Sequence, residues 1–173
     1  VGSGLDEQSG MGPLATAAHK EKVLGYIEKG IAEGADLVMD GRNFTVPELP
    51  NGYFVGPTIF DNVKADMTIA KEEIFGPVVS VVRAKDLDEV IDLINTRGFA
   101  NAACIYTNNG AVAREFKYRV LPSMVGINIG IAAPMSFFPF GGAGNSMFGD
   151  TKAHGQEIFN FFTDTKVVIE RWF

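Results

Sequence analysis

The chain has 173 residues, of which 46% are hydrophobic and 21% charged, and its formal net charge is −6 at pH 7. This is ordinary globular material with enough apolar residues for one sizeable core, and it lacks the Lys/Arg patch that a nucleic-acid partner requires. No apolar run approaches the ~18 residues of a membrane-spanning helix, and the start, Val1-Gly2-Ser3-Gly4-Leu5, has neither the basic end nor the apolar centre of a secretion signal.

The single cysteine, Cys104, excludes an intrachain disulfide and points to a reducing, cytoplasmic setting. The missing initiator Met points to a chain that begins inside a longer polypeptide.

Residues 1–13 are Gly/Ser-rich and read as an entry loop. Residues 14–33 form an amphipathic helix, with Val23, Tyr26, Ile27 and Ile31 on one face and Gly34 as its stop. Residues 35–39 make a short strand, Asp40-Gly41 a turn, and residues 43–56 a loop or hairpin excursion. Thr58-Ile59-Phe60 is extended. Asp66 is the expected cap of a short helix from Met67 to Lys71 or Glu72. The β-branched run 78–82 reads as a strand covered on both faces.

Asp86-Leu87-Asp88-Glu89 has the spacing of a capping box and opens a helix with Leu87, Val90, Ile91 and Ile94 on one face. A strand over 101–107, a turn at Asn108-Asn109-Gly110, a helix over 111–119 and a strand over 124–129 follow. Between residues 77 and 129 this order is a βαβαβ unit, which predicts a parallel sheet covered by helices. An irregular stretch over 132–149 precedes a helix from about 153 to 162 and a last strand over 165–172.

Few residues carry chemistry by themselves. Cys104 lies mid-strand among apolar neighbours, as a buried structural thiol rather than a nucleophile. The rival reading, a nucleophile in an unrelated small enzyme, needs an open, activated sulfur. His19 reads as a solvated helix residue, and His154, near the start of the last helix, as a capping or packing group. Two distant histidines without Cys or carboxylate at ligand spacing make no metal site. The glycines in 141–146 lack the Lys-Ser/Thr pair of a phosphate loop. Phe137-Phe138-Pro139-Phe140 is core or a pocket wall, and by composition alone core is favoured. Lys71-Glu72-Glu73-Ile74-Phe75-Gly76-Pro77 sets two carboxylates and a ring beside a Gly-Pro stop. Adjacent carboxylates point apart, so one is solvated and one is directed at a site, unless the stretch is only a helix end and a strand start.

Glu72-Glu73-Ile74-Phe75-Gly76-Pro77 resembles a signature of the NAD(P)-dependent aldehyde dehydrogenase superfamily. Other likenesses follow in that family's order: Met11-Gly12-Pro13-Leu14, the segment 30–35, Gly52-Tyr53-Phe54 with Pro57-Thr58-Ile59, and Pro139-Phe140-Gly141-Gly142. Residues 126–130 and 133–140, then Ser146-Met147-Phe148-Gly149-Asp150, His154-Gly155, 160–163 and 165–168, resemble the CoA-acylating (methyl)malonate-semialdehyde dehydrogenase group. Ala143-Gly144-Asn145 departs from that group's bulky aromatic and Lys.

The resemblance implies an α/β, three-layer, parallel-sheet catalytic domain, present in part, plus a C-terminal oligomerisation strand. Residues 1–150 would be the later portion of the catalytic domain, and 151–173 the terminal helix and the strand that joins a partner subunit's sheet in a homo-oligomer. It also implies that Glu73 is the residue that binds the nicotinamide ribose hydroxyls of NAD, Phe75 the ring near the nicotinamide, and Phe140 an aromatic wall of the substrate tunnel. The nucleophilic cysteine lies upstream in the family, so no catalytic residue is assigned in this chain, which alone would be inactive. In the intact enzyme the implied course is attack of a thiolate on the semialdehyde, hydride passage to NAD, and transfer of the acyl group to CoA. The alternative is a non-catalytic assembly domain, motivated by the β-rich end at 165–173.

Overall fold

The computed structural model describes all 173 residues. They fall into two compact units, Val1–Arg83 and Ala84–Phe173.

The first unit begins with helix α1, Ala17–Ala32. It starts three residues later than the periodicity predicts because Thr16 caps it, its side chain accepting from the His19 amide. It ends at Gly34, where φ is +89°. There the Gly34 and Ala35 amides donate to the carbonyls of Ile31 and Gly30, the pairing of a Schellman stop. Strands β1 (Asp36–Met39), β2 (Thr58–Asp61) and β3 (Val78–Ser80) form one sheet in the order β1-β2-β3. β1 is antiparallel to β2 and β3 is parallel to it. The apolar face of α1 meets this sheet in a core that includes Val23, Tyr26, Ile27, Val55, Phe60, Ile69 and Ile74.

Short helix α2, Thr68–Lys71, precedes β3. Asp66 does not cap it. The Glu33 carboxylate, arriving from the end of α1, instead accepts from the Thr68 amide at 2.6 Å and the Thr68 hydroxyl at 2.5 Å. The acceptor that α2 needs therefore comes from 35 residues away, out of reach of a local spacing rule.

In the second unit, α3 (Leu87–Asn95) opens as the capping box predicts, with the Glu89 amide donating to Asp86. The Glu89 carboxylate turns back to the Lys85 amide. β4 (Ala102–Ile105), α4 (Gly110–Arg119) and β5 (Met124–Ile127) form a βαβ unit, with β4 and β5 parallel. Asn109 caps α4. Ile91, Phe116 and Val120 form the buried centre, and Leu87, Ile94, Ile105 and Val125 pack against it. The Asn95 side chain joins the ends of the two helices, donating to the Arg119 carbonyl and accepting from the Leu121 amide.

Several expectations are corrected. The βαβαβ unit is not one ladder: β3 pairs with β2, while β4 pairs with β5 in a separate two-stranded sheet. The sheet of the first unit is mixed, because the hairpin-like return of β1 along β2 runs antiparallel. β3 is not covered on both faces within this chain, since Val79 is 56% exposed. The last helix, α5, spans only Glu157–Phe162. His154 and Gly155 just before it have φ of +69° and +57°, which a right-handed helix does not accept. Residues 163–173 form no strand here, because a strand is defined by its ladder and this segment has no hydrogen-bonded neighbour strand in the chain.

Candidate functional site

The turn between α2 and β3 is fixed at four successive points. Glu72 ends α2 with its amide on the Thr68 carbonyl. Its carboxylate accepts a 2.6 Å hydrogen bond from the Tyr26 hydroxyl of α1. That bond, helped by burial and by the nearby negative charge, raises the Tyr26 phenol above its ordinary value. Ile74 then drops into the core, 8% exposed. Gly76 passes so close to α1 that an added Cβ would stand 2.6 Å from Val23 Cγ2. Pro77 leads into β3, its carbonyl accepting from the Thr58 amide of β2.

Between these anchors Glu73 and Phe75 face outward. Glu73 is exposed and makes no hydrogen bond or ion pair, so both its oxygens are available as acceptors. Of the adjacent carboxylates, expected to be one solvated and one directed at a site, Glu72 is engaged by α1 and Glu73 lies in solvent. Phe75 is 77% exposed, with φ of +58°. A non-glycine residue in that region carries strain of about 1–3 kcal/mol, which the surrounding contacts must offset. Its ring stands in the wall of an open cleft of about 530 Å³, together with Met11, Pro13, Leu14, Val55 and Pro77. The cleft surface is mainly apolar, which suits a flat heterocycle edged by a hydrogen-bonding sugar.

His19 is the residue that sequence reasoning missed. It is half-buried and engaged rather than simply solvated. Its Nε2 lies 2.7 Å from the Phe75 carbonyl, and the two rings meet edge to face at 6.3 Å. A signal existed: His19, Val23 and Tyr26 stand at spacings of four and three, so His19 extends the buried stripe of α1 by one turn.

Phe140 belongs to the second unit. Its backbone exchanges hydrogen bonds with Ala153, and its ring lies 5.4 Å from the His154 ring. It is 37% exposed, and Phe137 and Phe138 are more exposed still. The core reading of this aromatic run therefore gives way to a surface or wall reading. The glycine loop is tied down by Ala143 and Asn145 amides that donate to the Ala100 and Gly98 carbonyls. Those amides are engaged and do not cradle an anion. Cys104, expected to be buried, is only half-buried on β4. Its Sγ approaches the Gly130 carbonyl at 3.8 Å, and no imidazole or carboxylate bonds it.

The aldehyde dehydrogenase family profile matches residues 1–168. The chain belongs to the aldehyde dehydrogenase family. Among individual relatives, it is 51% identical over 172 residues to the malonate-semialdehyde dehydrogenase of Halalkalibacterium halodurans, covering 99% of this chain and 35% of the relative. The crystal structure of methylmalonate-semialdehyde dehydrogenase from Oceanimonas doudoroffii superposes with a TM-score of 0.93 at 43% identity, over 96% of this chain and 34% of that one. The NAD complex of an aldehyde dehydrogenase from Bacillus cereus superposes with a TM-score of 0.84 at 36% identity, over 94% of this chain and 32% of that one. The chain thus spans about a third of the length of the relatives it matches. Its architecture is the aldehyde dehydrogenase fold in part. No helix is long and apolar enough to cross a membrane.

Proposed function

We propose that this chain is the later part of an NAD-dependent (methyl)malonate-semialdehyde dehydrogenase that passes its acyl product to CoA, with the nucleophilic cysteine outside these residues. The observation that carries the reading is the Glu73-Phe75 pair: an unengaged carboxylate two residues from an outward ring held in a left-handed backbone, at the edge of an apolar cleft. The names of the relatives support the substrate class and the cofactor.

NAD, when bound, supplies the hydride acceptor. In this chain Glu73 accepts hydrogen bonds from ribose hydroxyls, and Phe75 lies against the nicotinamide. Fixing the sugar fixes the ring, which is a positioning effect on the reaction. Phe140 contributes an apolar wall that keeps water from the acyl thioester formed on the cysteine. The CoA thiol then displaces the cysteine thiolate and takes the acyl group. Loss of carbon dioxide gives propionyl-CoA from methylmalonate semialdehyde and acetyl-CoA from malonate semialdehyde. A cytoplasmic location and a homo-oligomer belong to the same proposal.

The test is Glu73→Gln in the full-length polypeptide that carries this sequence. Loss of charge-assisted bonds to the ribose raises the NAD KM by roughly 10- to 100-fold and leaves the semialdehyde KM nearly unchanged. An unaltered NAD KM overturns the assignment. The 173-residue chain alone forms no NADH from semialdehyde; turnover at stoichiometric protein refutes its dependence on residues elsewhere.

A second reading, an assembly module, is favoured by one observation. Val167, Val168, Ile169, Trp172 and Phe173 are between 63% and 106% exposed on a segment without a ladder. Light scattering checks it: a chain that stays monomeric at high concentration removes this role.

A further inference from the structure

We infer that His19 is a positioning residue for the cofactor-facing ring, holding Phe75 by its carbonyl rather than touching the ligand itself; this rests on the functional reading above. The Phe75 carbonyl can only accept, so the 2.7 Å contact requires a proton on His19 Nε2. The bond falls on the one residue of the turn whose backbone is left-handed without being glycine. It also falls where no other restraint acts. Ile74 on one side is fixed by burial and Gly76 on the other by its approach to Val23, but the Phe75 ring itself is largely in solvent.

Without the imidazole, the Phe75–Gly76 peptide loses its hydrogen bond, and a change in the Phe75 torsions redirects its ring, while the buried Ile74 keeps that change from Glu73. His19 is well placed for the task because α1 is anchored around it. The His19 amide is itself held by the Thr16 cap, and Val23 one turn later is wholly buried. The clamp thus refers an exposed ring to a helix anchored in the core. The edge-to-face contact of the two rings at 6.3 Å sets the direction in which Phe75 projects.

The experiment has two arms. In the full-length polypeptide, NAD affinity is measured by titration calorimetry for His19→Ala, His19→Gln and Glu73→Gln. His19→Ala weakens NAD binding about tenfold, with kcat at saturating NAD little changed. His19→Gln restores most of the affinity, because its amide offers a donor of similar reach. If His19→Ala lowers the melting temperature and leaves NAD affinity intact while Glu73→Gln weakens it, His19 is merely structural and the inference falls. If Glu73→Gln also leaves affinity unchanged, the functional reading falls instead. The second arm judges the clamp without any ligand. Nitrogen-15 NMR of the imidazole in the 173-residue chain shows Nε2 protonated at neutral pH; a neutral ring with Nε2 unprotonated breaks the proposed bond.

Discussion

Gly76→Ala tests how tightly the turn is held against α1. Gly76 does not have a positive φ, so its backbone accepts alanine and only the contact matters. The new Cβ would lie 2.6 Å from Val23 Cγ2 and 3.1 Å from Cγ1. Val23 is wholly buried and β-branched on a helix, where one rotamer dominates, so its methyls cannot swing aside. Overpacking of this kind costs about 1–3 kcal/mol. With a urea slope of about 1–3 kcal/mol/M, the midpoint falls by roughly 1 M.

The partner variant Val23→Ala removes both offending methyls and costs about 2 kcal/mol, from lost transfer energy and the cavity it leaves. In the double variant the methyl introduced by Gly76→Ala occupies part of that cavity. The two changes should therefore couple by about 1–3 kcal/mol, the full cost of Gly76→Ala, leaving the double variant no less stable than Val23→Ala alone. Urea titration followed by far-ultraviolet circular dichroism gives all four corners of the cycle. Simple additivity, or a Gly76→Ala chain as stable as the parent, refutes the close approach as the reason for glycine here.

Phe75→Gly should be more stable than Phe75→Ala by about 1 kcal/mol, because alanine keeps the left-handed strain and glycine does not; both lose little burial from a ring that is 77% exposed. The reverse order in thermal unfolding contradicts the strain. The Thr68 hydroxyl and amide hold the Glu33 carboxyl below its ordinary range. A folded pKa below the unfolded one means that this contribution is present at neutral pH and is lost as pH falls through about 4.3 and below. Glu33→Gln should flatten the acid limb of the stability-pH curve in that window, and an unchanged limb removes the cap from the account of α2.

Local signals were legible wherever cause and effect lie within one turn. The stripe of α1, its stop at Gly34, the box at Asp86–Glu89 and the turn at Asn108–Gly110 are short-range patterns, and the structure follows them. The same locality explains the errors. A run of valines at 78–82 states extended backbone but not which strand it will join, so the ladder to β2 was not foreseeable. His154 looked like part of a helix because nothing in its neighbours announces a φ of +69°.

Sequence by itself determined α1, α3, α4 and the extended segments that become β1 to β5, because each follows from periodicity, capping or residue type over a few positions; the roles of Glu73 and Phe75 came only with the family resemblance. Tertiary structure decided how the turn that carries those two side chains is held. His19 reaches Phe75 across 56 residues and Tyr26 reaches Glu72 across 46. Such pairs form only once α1 lies over the sheet, because two polar groups far apart in the chain gain too little from one hydrogen bond to meet without the core that brings them together.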